Sequence, residues 1–275
     1  MLSAADIIAY LDEMFPRSLA ETWDNVGLQI GSASSPCRTV MTCLTVTEAA
    51  AAYAAEQRVD LIISHHPLIF SPLKRVTPEE AVGRVIYTLI AHRINLFVAH
   101  TNVDRAEGGL NDWLAESLGL LDIGMLDPEA EAAGYGRIGR LPSRMTLRSL
   151  AEYTAEALNI QGVTMVGRED KLVQAVAVCS GSGSHLWPAA LHQGADVLIT
   201  GDVKYHTAVD VLATPLAVID AGHFGTEAMF PSRMAELLEK EAKKKQWPLR
   251  IIVYKEGAGP MVTVQKGVFD GETDL

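Results

Sequence analysis

Asp60-Leu61-Ile62-Ile63-Ser64-His65-His66-Pro67 is the stretch on which the fold turns. It begins as a short apolar run without alternation, the pattern of a strand buried on both faces of a largely parallel sheet. The run then breaks into two imidazoles and a proline. Two other runs end in a similar way. Leu96-Phe97-Val98-Ala99 leads into His100-Thr101-Asn102-Val103-Asp104. Leu216-Ala217-Val218-Ile219 leads into Asp220-Ala221-Gly222-His223, with Glu227 one helical turn on. In open α/β sheets, functional groups gather beyond the carboxyl ends of the strands. Three such ends carrying imidazoles and carboxylates predict one site for divalent metal, with donors enough for two ions.

Outward from this stretch, strand-like and helix-like segments alternate, as in a parallel sheet with helices on its faces. Ser3 is placed to cap a first helix with Ile7, Ile8, Leu11 and Phe15 on one side. Strands are expected at 39–44, 60–64 and 95–99, and helices at 47–56, 79–92 and 110–118. The second half repeats the scheme, with strands at 173–179, 196–200 and 216–220. Its helices are expected at 185–192 and 231–245, the latter with proline in its first turn. Residues 251–254 and 261–264 read as closing strands. Asp60-Leu61-Ile62-Ile63-Ser64 aligns with Asp196-Val197-Leu198-Ile199-Thr200. Cys43 precedes the first run by the same interval as Cys179 precedes the second, and 147–158 is a counterpart of the first helix. The expectation is an α/β fold of two pseudo-equivalent halves, about 1–125 and 126–246. Closing strands at 247–275 complete a single packed unit, and a loop rich in Asp, Glu and Gly, 121–136, joins the halves.

The composition sets limits on function. A chain of 275 residues with 48% hydrophobic content can bury a real core. No apolar run reaches the roughly 18 residues of a membrane span, and the N-terminus lacks the basic start of a signal peptide. A cytoplasmic protein with no membrane partner is expected. A net charge of −11 argues against a general nucleic-acid binder. The Lys-rich segment 240–245 also holds Glu241 and reads as the solvated face of a helix. Cys37, Cys43 and Cys179 form no metal-binding pair; Cys43 and Cys179 fall inside apolar runs and read as small buried hydrophobes. Any metal here is therefore held by nitrogen and oxygen.

Each candidate ligand has a plainer reading. A lone histidine is more often a satisfied core residue, but His65 and His66 stand together at a strand end, and Pro67 restricts the backbone of His66. Asp104 can be a turn carboxylate; beside His65-His66 it reads better as a hard oxygen ligand. His223 and Glu227 can be an ordinary i,i+4 surface pair, but Gly222 and Gly225 make a poor surface helix. Three histidines and two carboxylates exceed the four ligands of a structural zinc site and suit two ions. The donor set admits Zn, Mn, Fe, Co or Ni. His206 and His100 are candidates for proton transfer, with His100 alternatively a support for Asp104. Lys204 and the amides of Cys179-Ser180-Gly181-Ser182-Gly183-Ser184 are weaker candidates for an anion. His92, His185 and His192 are assigned no role.

Six motifs, in this order, are similar to the GTP cyclohydrolase I type 2 homologue family, the Nif-three-like dinuclear metal proteins. They are Glu21-Thr22-Trp23-Asp24-Asn25-Val26-Gly27-Leu28, Ser64-His65-His66-Pro67-Leu68-Ile69-Phe70, His100-Thr101-Asn102-Val103-Asp104, Gly136-Arg137-Ile138-Gly139, Thr200-Gly201-Asp202-Val203-Lys204-Tyr205-His206, and Asp220-Ala221-Gly222-His223-Phe224-Gly225-Thr226-Glu227. The resemblance implies two intertwined α/β halves without the inserted domain of some members. It places the five metal ligands on His65, His66, Asp104, His223 and Glu227. It implies a ring-shaped homohexamer with its metal sites facing an internal cavity. The chain departs from the family pattern at Thr45, where members often carry Asp, and at Met261, where they often carry an aromatic. Trp23-Asp24-Asn25 reads as a buried aromatic followed by a turn. Two functions follow as expectations. One is a metal-dependent hydrolase acting on a nucleotide or related small molecule. The other is a metal-binding module without turnover, such as a metallochaperone or a ring-shaped scaffold.

Overall fold

The computed structural model describes residues 2–127, 134–257 and 259–261. In chain order the elements are α1 (Ala4–Met14), β1 (Gly27–Ile30), β2 (Thr39–Cys43), α2 (Glu48–Glu56), β3 (Leu61–Ser64), α3 (Ala81–Ala91), β4 (Asn95–Val98), α4 (Thr101–Arg105) and α5 (Leu110–Ser117). Then come β5 (Leu121–Met125), β6 (Arg137–Thr146), α6 (Leu147–Ala157), β7 (Thr164–Val166), β8 (Leu172–Val178), α7 (Trp187–His192), β9 (Val197–Thr200), α8 (Tyr205–Leu212), β10 (Ala217–Asp220), α9 (His223–Glu227), α10 (Phe230–Lys245) and β11 (Arg250–Val253).

The strands form two mixed sheets, ordered β1-β4-β3-β2-β11 and β5-β6-β8-β9-β10-β7. In the first, β4, β3, β2 and β11 are parallel and β1 is antiparallel to β4. In the second, β8, β9 and β10 are parallel, β7 is antiparallel to β10, and β6 is antiparallel to β8. The order α1–β1–β2–α2–β3–α3–β4 therefore recurs as α6–β7–β8–α7–β9–α8–β10. The inner strands are apolar because both faces are covered: Leu61, Ile62 and Ile63 are fully buried, as are Val197, Leu198 and Ile199.

Local chemistry sets the helix starts. Asp6 accepts from the Ser3 amide at 2.8 Å and the Ser3 hydroxyl at 2.7 Å, and Thr47 caps α2 through the Ala50 amide. After the second half, the chain returns to the first. Phe230, Met234 and Leu238 of α10 pack with Ile7, Leu11, Phe15 and Val40, and β11 adds beside β2.

The structure departs from the sequence expectations in several places. Leu121–Met125, expected within the joining loop, is strand β5. β1, β6 and β7 also arise where no strand was expected. The helix expected from His185 begins as a 3-10 turn, Ser184–Leu186, before α7. The closing strand expected at 261–264 lies outside the described residues beyond Met261. The three cysteines are buried and unpaired. No described helix is long and apolar enough to cross a membrane.

Candidate metal centre

The site forms where β3, β4, β9 and β10 release the chain. His65 is fully buried one residue beyond β3. Its Nδ1–H donates to the Ala99 carbonyl at 2.9 Å, which leaves the Nε2 lone pair pointing the other way. Nε2 is buried and has no hydrogen-bond partner among the described residues. It faces Asp104 Oδ1 at 3.7 Å and Glu227 Oε1 at 3.6 Å. A buried nitrogen left unpaired between two carboxylates departs from the rule that buried polar groups are satisfied; a cation there would satisfy all three groups. Without one, burial disfavours the charged ring, yet Asp104 and Glu227 raise the His65 pKa to about 9.

Glu227, at the end of the five-residue helix α9, is where the imidazoles converge. Its Oε1 faces His65, and its Oε2 lies 2.9 Å from His66 Nε2 and 3.2 Å from His223 Nε2. Burial pushes its pKa up, but the surrounding histidines outweigh this and hold it well below the usual carboxylate range. The side chain fits because Gly181 faces it: a Cβ there, at φ +60°, would stand 2.4 Å from Glu227 Oε1. His66 Nδ1 meets the Thr45 hydroxyl at 2.9 Å, which orients this ring. His223 Nδ1 lies 2.7 Å from Asp202 Oδ2, and Asp202 also accepts from Ser182. Asp104, buried on α4, accepts from Ser180 Oγ at 3.3 Å.

The five expected ligands thus meet, and His100 joins them. The donor atoms of His65, His100 and Asp104 all lie within 4.8 Å of one another, as do those of His65, His66 and Glu227. The two sets share His65. His100 is held by Asp24, whose oxygens both lie 3.0 Å from Nδ1. Burial would raise the Asp24 pKa, but His100 and Thr101 bring it down to about 2. An oxygen and nitrogen donor set, with a carboxylate behind two of its histidines, fits a divalent ion.

Above the cluster lies a cavity of about 790 Å³ whose lining includes Trp23, Phe70, His100, Tyr135, His185 and His223. His185 therefore faces the site, although its sequence context offered no signal of a role. His206, on the first turn of α8, is exposed and does not line the cavity; its ring stands edge-on to Tyr205 instead. Lys204 is also exposed. The amides of the Gly/Ser loop are largely committed: Ser180, Gly181 and Gly183 donate to Asn111, Thr226 and Thr200. They form no anion cradle. Trp23, expected to be buried, is 56% exposed, while Asp24 beside it is the residue that braces the site.

The Duf34/NIF3 (NGG1p interacting factor 3) family model matches residues 2–260. A Clostridium acetobutylicum protein named GTP cyclohydrolase 1 type 2 homolog is 35% identical over 262 residues, spanning 94% of this chain and 98% of that protein. A Streptococcus pneumoniae protein of the same name is 35% identical over 261 residues, with the same shares covered. Among solved structures, a Bacillus cereus protein related to NIF3 superposes with a TM-score of 0.90 at 28% identity, covering 95% of this chain and 99% of that one.

Proposed function

The chain belongs to the Duf34/NIF3 family, and from that membership and the site geometry we propose that it is a dinuclear-metal hydrolase acting on a nucleotide or a related small molecule. The observation that carries the reading is the unpartnered, fully buried Nε2 of His65 between Asp104 and Glu227. His65, His66, Asp104, His223 and Glu227 would hold the ions, with His100 next to them. Divalent ions bound there supply an acidified water and polarise an electrophile. The chain's own residues do the rest. Glu227 holds three imidazoles in register, and Asp202 and Thr45 fix the rings of His223 and His66. Asp24 holds the Nδ1 proton of His100, which leaves its other nitrogen to accept or return a proton on the cavity side. A cavity of about 790 Å³ has room for a nucleotide-sized molecule. The relatives' printed name points to the same substrate class.

The first test is metal content per chain by elemental mass spectrometry, on protein purified without chelator or nickel resin. The expected result is about two ions of one element per chain. Near-zero content, with no uptake on adding Zn, Mn or Fe, would overturn the reading. Ions without turnover of any nucleotide would leave a metal-binding module in its place. Assembly into a homohexameric ring and a cytoplasmic location belong to the same proposal, and sedimentation velocity tests the former.

A further inference from the structure

We propose that Trp23 and Phe70 form a stacking subsite for a planar, uncharged heteroaromatic ring, a nucleobase or nucleoside, at the mouth of the metal-facing cavity. The inference rests on the reading of the neighbouring cluster as a working site, and it identifies the part of the substrate that the protein grips. Both rings are more than half exposed, at 56% and 55%. Their centroids lie 5.8 Å apart with planes tilted by 56°, and Trp23 also stands edge-on to His100 at 6.4 Å. The two tilted rings stand side by side at the cavity rim and remain largely exposed.

The backbone beneath them is pinned. Asn25 Nδ2 donates to the Ile69 carbonyl at 2.6 Å. The Gln29 amide both donates to that carbonyl at 3.1 Å and accepts from the Ile69 amide at 2.9 Å. The segment before Phe70 is thereby stitched to the segment after Trp23, while Asp24 is tied to His100 and Thr101. Two exposed aromatic rings on a pinned backbone lose little backbone freedom when a flat ligand covers them, which is the physics of a preorganised aromatic anchor. The charges point the same way. None of the described residues that line the cavity is Lys or Arg. The cavity therefore offers no side-chain fork for phosphate, and the aromatic rings are its strongest feature for recognising an organic ligand.

The test is isothermal titration calorimetry of the full-length, metal-loaded protein with adenosine, guanosine, cytidine, uridine and ribose. At least one nucleoside should bind ten-fold or more tightly than ribose. Trp23→Leu should weaken that nucleoside by about ten-fold or more, the range of lost base–aromatic stacking. Trp23→Phe should keep affinity within about three-fold, and Phe70→Leu should weaken it in the same direction as Trp23→Leu. No nucleoside binding, equal binding of ribose, or an unchanged affinity in Trp23→Leu would each overturn the subsite. Trp23→Leu leaves all the donor residues in place, so full metal content with lost nucleoside binding isolates the subsite. A wild-type protein that takes up no metal refutes the cluster reading instead.

Discussion

Glu227 accepts from or faces three imidazoles at once, so its two oxygens cannot be replaced one at a time without a cost to the others. Glu227→Gln keeps the shape and removes the charge. The expected outcome is a folded chain with metal content and turnover both reduced at least ten-fold, read by elemental mass spectrometry and a nucleotide turnover assay. Asp24→Asn should act differently, because Asp24 contacts His100 and Thr101 and none of the five donors. Turnover should fall about 10–100-fold while most of the metal is retained. A pH test follows from His65 and His223, both raised to about 9 in the metal-free protein against an ordinary value near 6.5. Groups raised on folding stabilise the fold fully below about 6.5 and lose that contribution as pH climbs through about 9. The melting temperature of chelator-treated protein should therefore fall between pH 7 and 9.5, and metal affinity should rise over the same range as protons stop competing. The donors were legible in the sequence because His65 and His66 directly follow an apolar run, and Asp104, His223 and Glu227 fall on the short segments beyond two others. The braces were not: Asp24 meets His100 across 76 positions, and Asp202 meets His223 across 21, so no local pattern announces either contact.

α4 and α9 are each five residues long, too short to persist alone, and they deliver Asp104 and Glu227 because their sheets hold them in place. Gly222, the residue just before α9, has φ +75°, a turn that suits glycine. Gly181→Ala tests how closely the elements approach. It pays left-handed strain of about 1–2 kcal/mol and pushes a Cβ to 2.4 Å from Glu227 Oε1. Gly108→Ala is the control, with φ +69° and nothing within 4 Å of its Cβ. Both should lower the melting temperature by similar strain, but only Gly181→Ala should lower metal content. The duplicated βαβ core was legible from its short, fully apolar strands. β5 was not, because its Leu121–Met125 side chains are mostly exposed and carry no alternation. β6 was hidden by Pro142 and by a register shift between Arg140 and Met145, which breaks the period of two. β7 is only three residues long, and β1 opens on Gly27 and is interrupted by Gln29, so neither shows an unbroken apolar run.

The cluster draws His65, His66, His100 and Asp104 from the first half of the chain and His223 and Glu227 from the second, so it exists only once the halves are packed. Metal bound at 100 times its dissociation constant should stabilise the fold by about 2.7 kcal/mol, and differential scanning calorimetry should show the melting temperature drop by several degrees on chelation. The return of β11 to the edge of β2 has a consequence on the ribosome. The first sheet cannot close until Val253 has emerged, so β2 waits through the synthesis of the whole second half with one edge open. The same delay withholds Phe230, Met234 and Leu238 from Val40, Leu61 and Ile63. An open parallel edge beside uncovered aliphatic side chains invites pairing with a neighbouring chain. Ending the chain before residue 230 should therefore send it to the insoluble fraction at 37 °C. A strand that follows the whole second half thus seals the first sheet begun, and the nascent chain must be kept from its neighbours until it arrives.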